Sequence, residues 1–134
     1  MNRAFLSSAM EGVVSSFGYD FYLDEESHYP TAVCRYPAAF LSQPEFIGKE
    51  GQKQGRITYR LTLRLGKPGA KLSPKERGDL LAQLEQDMVE IFVELSRTEK
   101  VAVVEKLTIT PTSPTIDNHG AIAMIGKAEI VTIF

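Results

Sequence analysis

The sequence predicts an α+β fold, a largely antiparallel sheet of about four strands with an N-terminal helix and one long helix packed on it. Three segments carry that expectation. Residues 56–65 (RITYRLTLRL) alternate apolar and polar side chains with strict period two, the mark of a strand with one face in a core. Residues 73–96 open with a capping box and then repeat apolar residues every three to four positions, the mark of an amphipathic helix. Residues 121–134 form an apolar strand pattern far longer than the usual 5 to 6 residues.

Taken in order, residues 2–17 place Phe5, Ala9, Gly12 or Val13, and Ser16 or Phe17 at helical spacing, with Asn2 available as a cap and Gly18 as a stop. Tyr19, Phe21, Tyr22, Tyr29 and Tyr36 follow in a stretch too irregular for helix and too aromatic for a free linker, so it is expected to lie against the domain. Residues 31–36 are a short strand candidate closed by Pro37, which lacks a ladder donor. Residues 42–55 (SQPEFIGKEGQKQG) are polar and glycine-containing apart from Phe46 and Ile47, and they are expected to be a flexible loop or functional arm.

In the strand 56–65, Ile57, Tyr59, Leu61, Leu63 and Leu65 share one face, and Arg56, Thr58, Arg60, Thr62 and Arg64 share the other. Ser73 and Glu76 supply the capping box and Pro74 the first helical position; Leu81, Leu84, Met88, Ile91 or Phe92, and Leu95 then form one stripe. A helix over 74–96 is roughly 35 Å long at 1.5 Å per residue and spans the whole domain. Residues 101–110 are a second strong strand, and residues 111–120 (PTSPTIDNHG) a turn-rich connection. In the closing strand, Ile122, Met124, Ala128, Ile130 and Phe134 share a face. Long apolar strands with free edges promote association, so such a strand is expected either to be covered or to pair with another subunit.

Composition bounds the function. The 134 residues make one domain, 1–134, and 43% hydrophobic with 24% charged residues fits neither a disordered nor a fibrous chain. Residues 1–67 carry 8 Lys+Arg and 7 Asp+Glu, and residues 68–134 carry 7 and 10, so neither half is a nucleic-acid tail. Ser7, Ser8 and Glu11 interrupt the early apolar patch before a signal-peptide core forms, and nowhere does an apolar run approach the roughly 18 residues of a membrane span. A soluble cytoplasmic protein is expected.

The search for chemistry finds little. The single cysteine, Cys34, has apolar or aromatic neighbours in Val33 and Tyr36 and reads as a core thiol. His119 sits in Asp117-Asn118-His119-Gly120, which reads as hairpin punctuation. His28 follows Asp24-Glu25-Glu26, a cluster able to meet a hard cation, but no second ligand group has matching spacing and a solvated acidic turn fits it better. Gly66-Lys67-Pro68-Gly69-Ala70-Lys71 lacks the phosphate-loop pattern. No catalytic, metal or cofactor residue is assigned. The sharpest surface feature is the stripe Arg56, Arg60 and Arg64, extended by Lys67. Threonines rather than aromatics lie between these arginines, so the stripe fits an exposed or subunit-facing sheet better than an RNA-reading one. Helix carboxylates Glu85, Asp87, Glu90 and Glu94 of a neighbouring copy are its expected partners.

The strand 56–65, the capped helix 73–95, the strand 101–110 and the long closing strand, preceded by Tyr36-Pro37-Ala38-Ala39-Phe40-Leu41, resemble small tail-terminator or tail-completion proteins of long-tailed bacteriophages and prophages. That resemblance implies a non-enzymatic α+β subunit that assembles into a ring, usually a hexamer, at the head-proximal end of the tail tube. There it stops tube polymerisation and presents a surface to the head connector. Partners are then further copies of the chain, the tail tube and the connector, with no membrane and no sequence-specific nucleic acid. The location is cytoplasmic during assembly and the virion tail afterwards. Under the resemblance, residues 42–55 are an assembly arm, and the assembly surface comprises Arg56, Arg60, Arg64, Phe46, Ile47, Glu90 and Glu94. Two other classes stay open: a ligand- or metal-binding subunit whose site, with Asp24, Glu26 or His28, is completed at a subunit interface, and a nucleic-acid-binding module that uses the arginine stripe.

Overall fold

A computed structural model of the chain describes residues 2–24, 37–51, 55–68, 72–111 and 122–133. The element order is α1 (Asn2–Ser16), β1 (Asp20–Asp24), β2 (Ala38–Ser42), β3 (Glu45–Glu50), β4 (Arg56–Lys67), α2 (Pro74–Ser96), β5 (Val101–Pro111) and β6 (Ile122–Ile133). The class is α+β as expected, with six strands among the described residues rather than about four. The strand candidate at 31–36, the hairpin reading at 117–120, and Glu26, His28, Cys34 and His119 lie outside the described residues.

The sheet runs β1-β2-β4-β6-β5, and β3 also pairs with β4. Among the described residues every pairing is antiparallel except β1 with β2. β4 and β5 are therefore parallel to each other, joined by α2 as the crossover, with β6 inserted antiparallel between them. β2 and β3 share one side of β4: Leu41 lies opposite Leu63, and Glu45 opposite Arg60. Ala38 to Glu50 thus forms one interrupted strand along β4, broken at Gln43 and Pro44. The expected loop at 42–55 is corrected accordingly. Seven of its residues, Ser42 and Glu45–Glu50, are strand, because the long β4 offers a ladder that main-chain hydrogen bonds fill whatever the side chains. An extra residue, Ile47, is bulged between Phe46 and Gly48.

Both helices cover the face of β4 that carries Tyr59, Leu61, Leu63 and Leu65. Leu6, Met10 and Val14 of α1 meet Leu84, Met88, Ile91, Phe92 and Leu95 of α2 over Ala39, Leu41, Ile122, Met124, Ala128 and Ile130. α2 starts with the expected capping box: Ser73 Oγ accepts from the Glu76 amide at 3.2 Å, and the Ser73 amide donates to Glu76 Oε1 at 3.2 Å. These bonds hold the Glu76 carboxyl below the usual carboxylate range. α1 stops at Gly18, whose φ of 87° suits glycine, with Tyr19 N–H on Val14 O and Gly18 N–H on Ser15 O. Asn2 is not the expected cap. It lies within α1, and its Nδ2 donates to Thr132 Oγ1 at 2.9 Å while Thr132 donates to Ile57 O at 2.7 Å. This pins the start of α1 to the ends of β4 and β6, since a buried amide needs a partner.

Candidate assembly surface

The period-two alternation of β4 puts Arg56, Thr58, Arg60, Thr62 and Arg64 on the sheet face away from the helices, as expected. Cross-strand neighbours then decide what each arginine meets. Arg56 lies opposite Glu50, and Arg64 lies between Phe40 and Ile125. Arg60 Nη1 is 3.2 Å from Glu45 Oε2 and its Nη2 is 3.7 Å from Glu129 Oε2, while Lys106 Nζ is 3.4 Å from Glu129 Oε1. A ladder of alternating sign, Glu45–Arg60–Glu129–Lys106, therefore crosses β3, β4, β6 and β5. Such pairs contribute about 0 to 1 kcal/mol each at exposed positions, so the ladder sets register and face more than stability.

Within one chain the partners of Arg60 belong to its own sheet. Glu90 and Glu94 sit on the helix layer, across the sheet from the arginines. Glu90 accepts from Gln86 at 3.2 Å and Glu94 pairs with Arg97 at 2.6 Å. Lys67 does not extend the stripe either. Its odd position turns it to the helix face, where Nζ lies 3.5 Å from Asp87 Oδ2 and 5.6 Å from the centre of the Tyr19 ring. Tyr19 OH donates to the same Asp87 oxygen at 2.6 Å. Burial, with the Asp87 hydrogen bond and charge, pushes the phenol well above its usual range, so Tyr19 stays a neutral donor. Asp87, expected as a helix-face carboxylate for a neighbouring copy's arginines, meets Tyr19 and Lys67 of its own chain and so clamps α2 to the end of β4 and the α1–β1 turn.

Two apolar features stand at opposite edges of the sheet. At the β3 edge, Phe46 is 54% and Ile47 38% exposed; Phe46 meets Tyr59 edge-to-face with ring centres 6.2 Å apart. At the β5 edge, Val89, Phe92, Val93 and Ser96 of α2 and Val104 and Leu107 of β5 line an open groove of about 150 Å³, and Val89 and Val93 remain 41% and 43% exposed. Phe46 and Ile47 were legible in the sequence as the one apolar pair in a polar segment. The groove was not, although Val89, Val93 and Ser96 repeat at helical spacing beside the core stripe and widen its apolar face.

No described helix is long and apolar enough to cross a membrane. No protein-family model matches the chain, and no curated protein matches it.

Proposed function

We propose that the chain is a non-enzymatic subunit that assembles into a ring, of about six copies, at the end of a long-tailed phage or prophage tail tube, where it ends tube growth and meets the head connector. One observation carries the reading most: exposed apolar groups lie at two opposite edges of one sheet, Phe46 and Ile47 at β3, and Val89 and Val93 beside β5. Two different patches on opposite sides make a head-to-tail contact, and a head-to-tail contact that closes makes a ring. A single self-complementary patch makes a two-fold dimer instead. Strands of 12, 11 and 12 residues at the centre and far edge of the sheet, about twice the usual length, give such a wall its span. The order and pattern of segments shared with tail-terminator proteins support the same place in a virion.

The chain added to elongating tail tubes from its own phage or prophage is expected to arrest growth and leave ring density at one end of each tube, seen by negative stain. Tubes that elongate undisturbed and bind none of the protein contradict the reading.

A further inference from the structure

Resting on the ring reading, we propose that neighbouring copies are matched by charge on the helix side of the sheet: Arg3 of one copy pairs with Glu85 of the next, and the aromatic patch beside Arg3 covers the apolar groove beside Glu85. The cationic patch is built on Tyr59. The Arg3 guanidinium lies over the Tyr59 ring, 5.8 Å from its centre, and Phe46 meets the same ring edge-to-face at 6.2 Å. Tyr59 faces the helices, so cation and aromatic ring project together on that side, beside the first turn of α1. The contact needs side chains alone and no main-chain hydrogen bond between copies.

The receiving side has the opposite make-up. Val89, Phe92, Val93, Val104 and Leu107 give the groove an apolar lining. Glu85 is exposed and lies on the same stripe of α2 as Val89 and Phe92, at i, i+4 and i+7. Roughly 6–11 Å along the helix therefore separate its carboxylate from the lining, the scale on which one tyrosine spaces Arg3 and Phe46. From residue 78 to residue 96, α2 carries Asp79, Glu85, Asp87, Glu90 and Glu94 and no Lys or Arg, so its field draws a cation toward the groove.

Arg3 and Glu85 are also the two charges that the chain itself leaves over. Among the described residues neither makes an ion pair or a side-chain hydrogen bond, whereas Glu45, Asp87, Glu94 and Glu129 each hold a cation of their own chain. The two surfaces differ in sign and in residues, so the contact is head-to-tail. One ion pair and one aromatic patch cover less than the roughly 800 Å² per partner of a standard interface, so a single contact is weak. Closure, which gives each copy two contacts, favours the ring over the pair.

The test is charge reversal in the full chain, read by light scattering. Arg3 and Glu85 are exposed and helical, and an acid in the first turn of α1 suits the helix dipole, so Arg3→Glu and Glu85→Arg leave the fold alone, as a parent-like melt verifies. Each is expected to raise the concentration at which rings appear by roughly tenfold or more, because the repulsion repeats at every junction. Glu11→Arg, the same reversal on the exposed face of α1, is expected to leave that concentration unchanged. The Arg3→Glu/Glu85→Arg chain restores an ion pair at every junction and is expected to assemble like the parent. So is an equimolar mixture of the two single variants, whose copies alternate. Single variants that assemble like the parent, or a double variant no better than the singles, overturn the contact. Parent rings in that case leave the ring reading standing on another surface. A parent that forms no ring at any concentration overturns the ring reading and this contact with it.

Discussion

Leu63→Asp is expected to leave no soluble folded protein. Leu63 is fully buried at the middle of β4, with Leu41 and Gly126 opposite it on the flanking strands. An ionised carboxylate there has no partner, and its burial costs several kcal/mol against a total stability of about 5–15 kcal/mol. Thr62→Asp is the matched control. It adds the same charge one residue away on the opposite face, where Thr62 is half-buried next to Lys127 in β6, and it is expected to shift stability by less than about 1 kcal/mol. Expression level and a thermal melt by circular dichroism separate the two. A Leu63→Asp protein that melts like the parent would mean that β4 presents its other face to the core.

Gly126→Val is expected to be the second most damaging change. Gly126 sits mid-strand in β6, where glycine weakens a sheet, so something must require it. A Cβ at this position would lie 2.5 Å from Met88 Sδ and 2.8 Å from its Cγ. Met88, on α2, is flexible but fully buried, so its side chain must repack within the core to make room. Overpacking of this kind costs about 1–3 kcal/mol for alanine, and valine adds two further methyl groups. Removing the clash from the other side provides the check. Gly126→Ala is expected to cost much less in a Met88→Ala background than alone, a non-additivity read from denaturant midpoints. Equal costs in the two backgrounds would show that Gly126 is required for its backbone and not for the close approach of α2.

The difference between what was legible and what was not follows from the range of the interactions. β4, α2, β5 and β6 carry their own signals in periodicity and capping, and they form where expected to within two residues, α2 over the expected span. β2 and β3 do not. Ala38 and Ala39 have poor strand propensity, and β3 holds Gly48, Lys49 and two glutamates. Both strands exist because β4 is long enough to template them, which is a property of β4 and not of their own residues. The same holds at the surface. Alternation assigned Arg60 to its face, but its partners Glu45 and Glu129 lie 15 and 69 residues away in sequence, brought together only by register. Asp87 looked like one more exposed helix carboxylate until the α1–β1 turn carried Tyr19 to it. Gly126 gave no signal at all, because its role is to be absent beneath Met88.

In the proposed ring one chain offers two different apolar edges, Phe46 and Ile47 at β3 and Val89 and Val93 beside β5, to its two neighbours. Light scattering of the purified full chain over a wide concentration range, with negative stain of the largest species, tests it most directly. A 14.9 kDa monomer at low concentration is expected to give way to a single closed species of about six copies, with no larger mass beyond it. A monomer at every concentration, or a two-fold dimer that never grows, would contradict it.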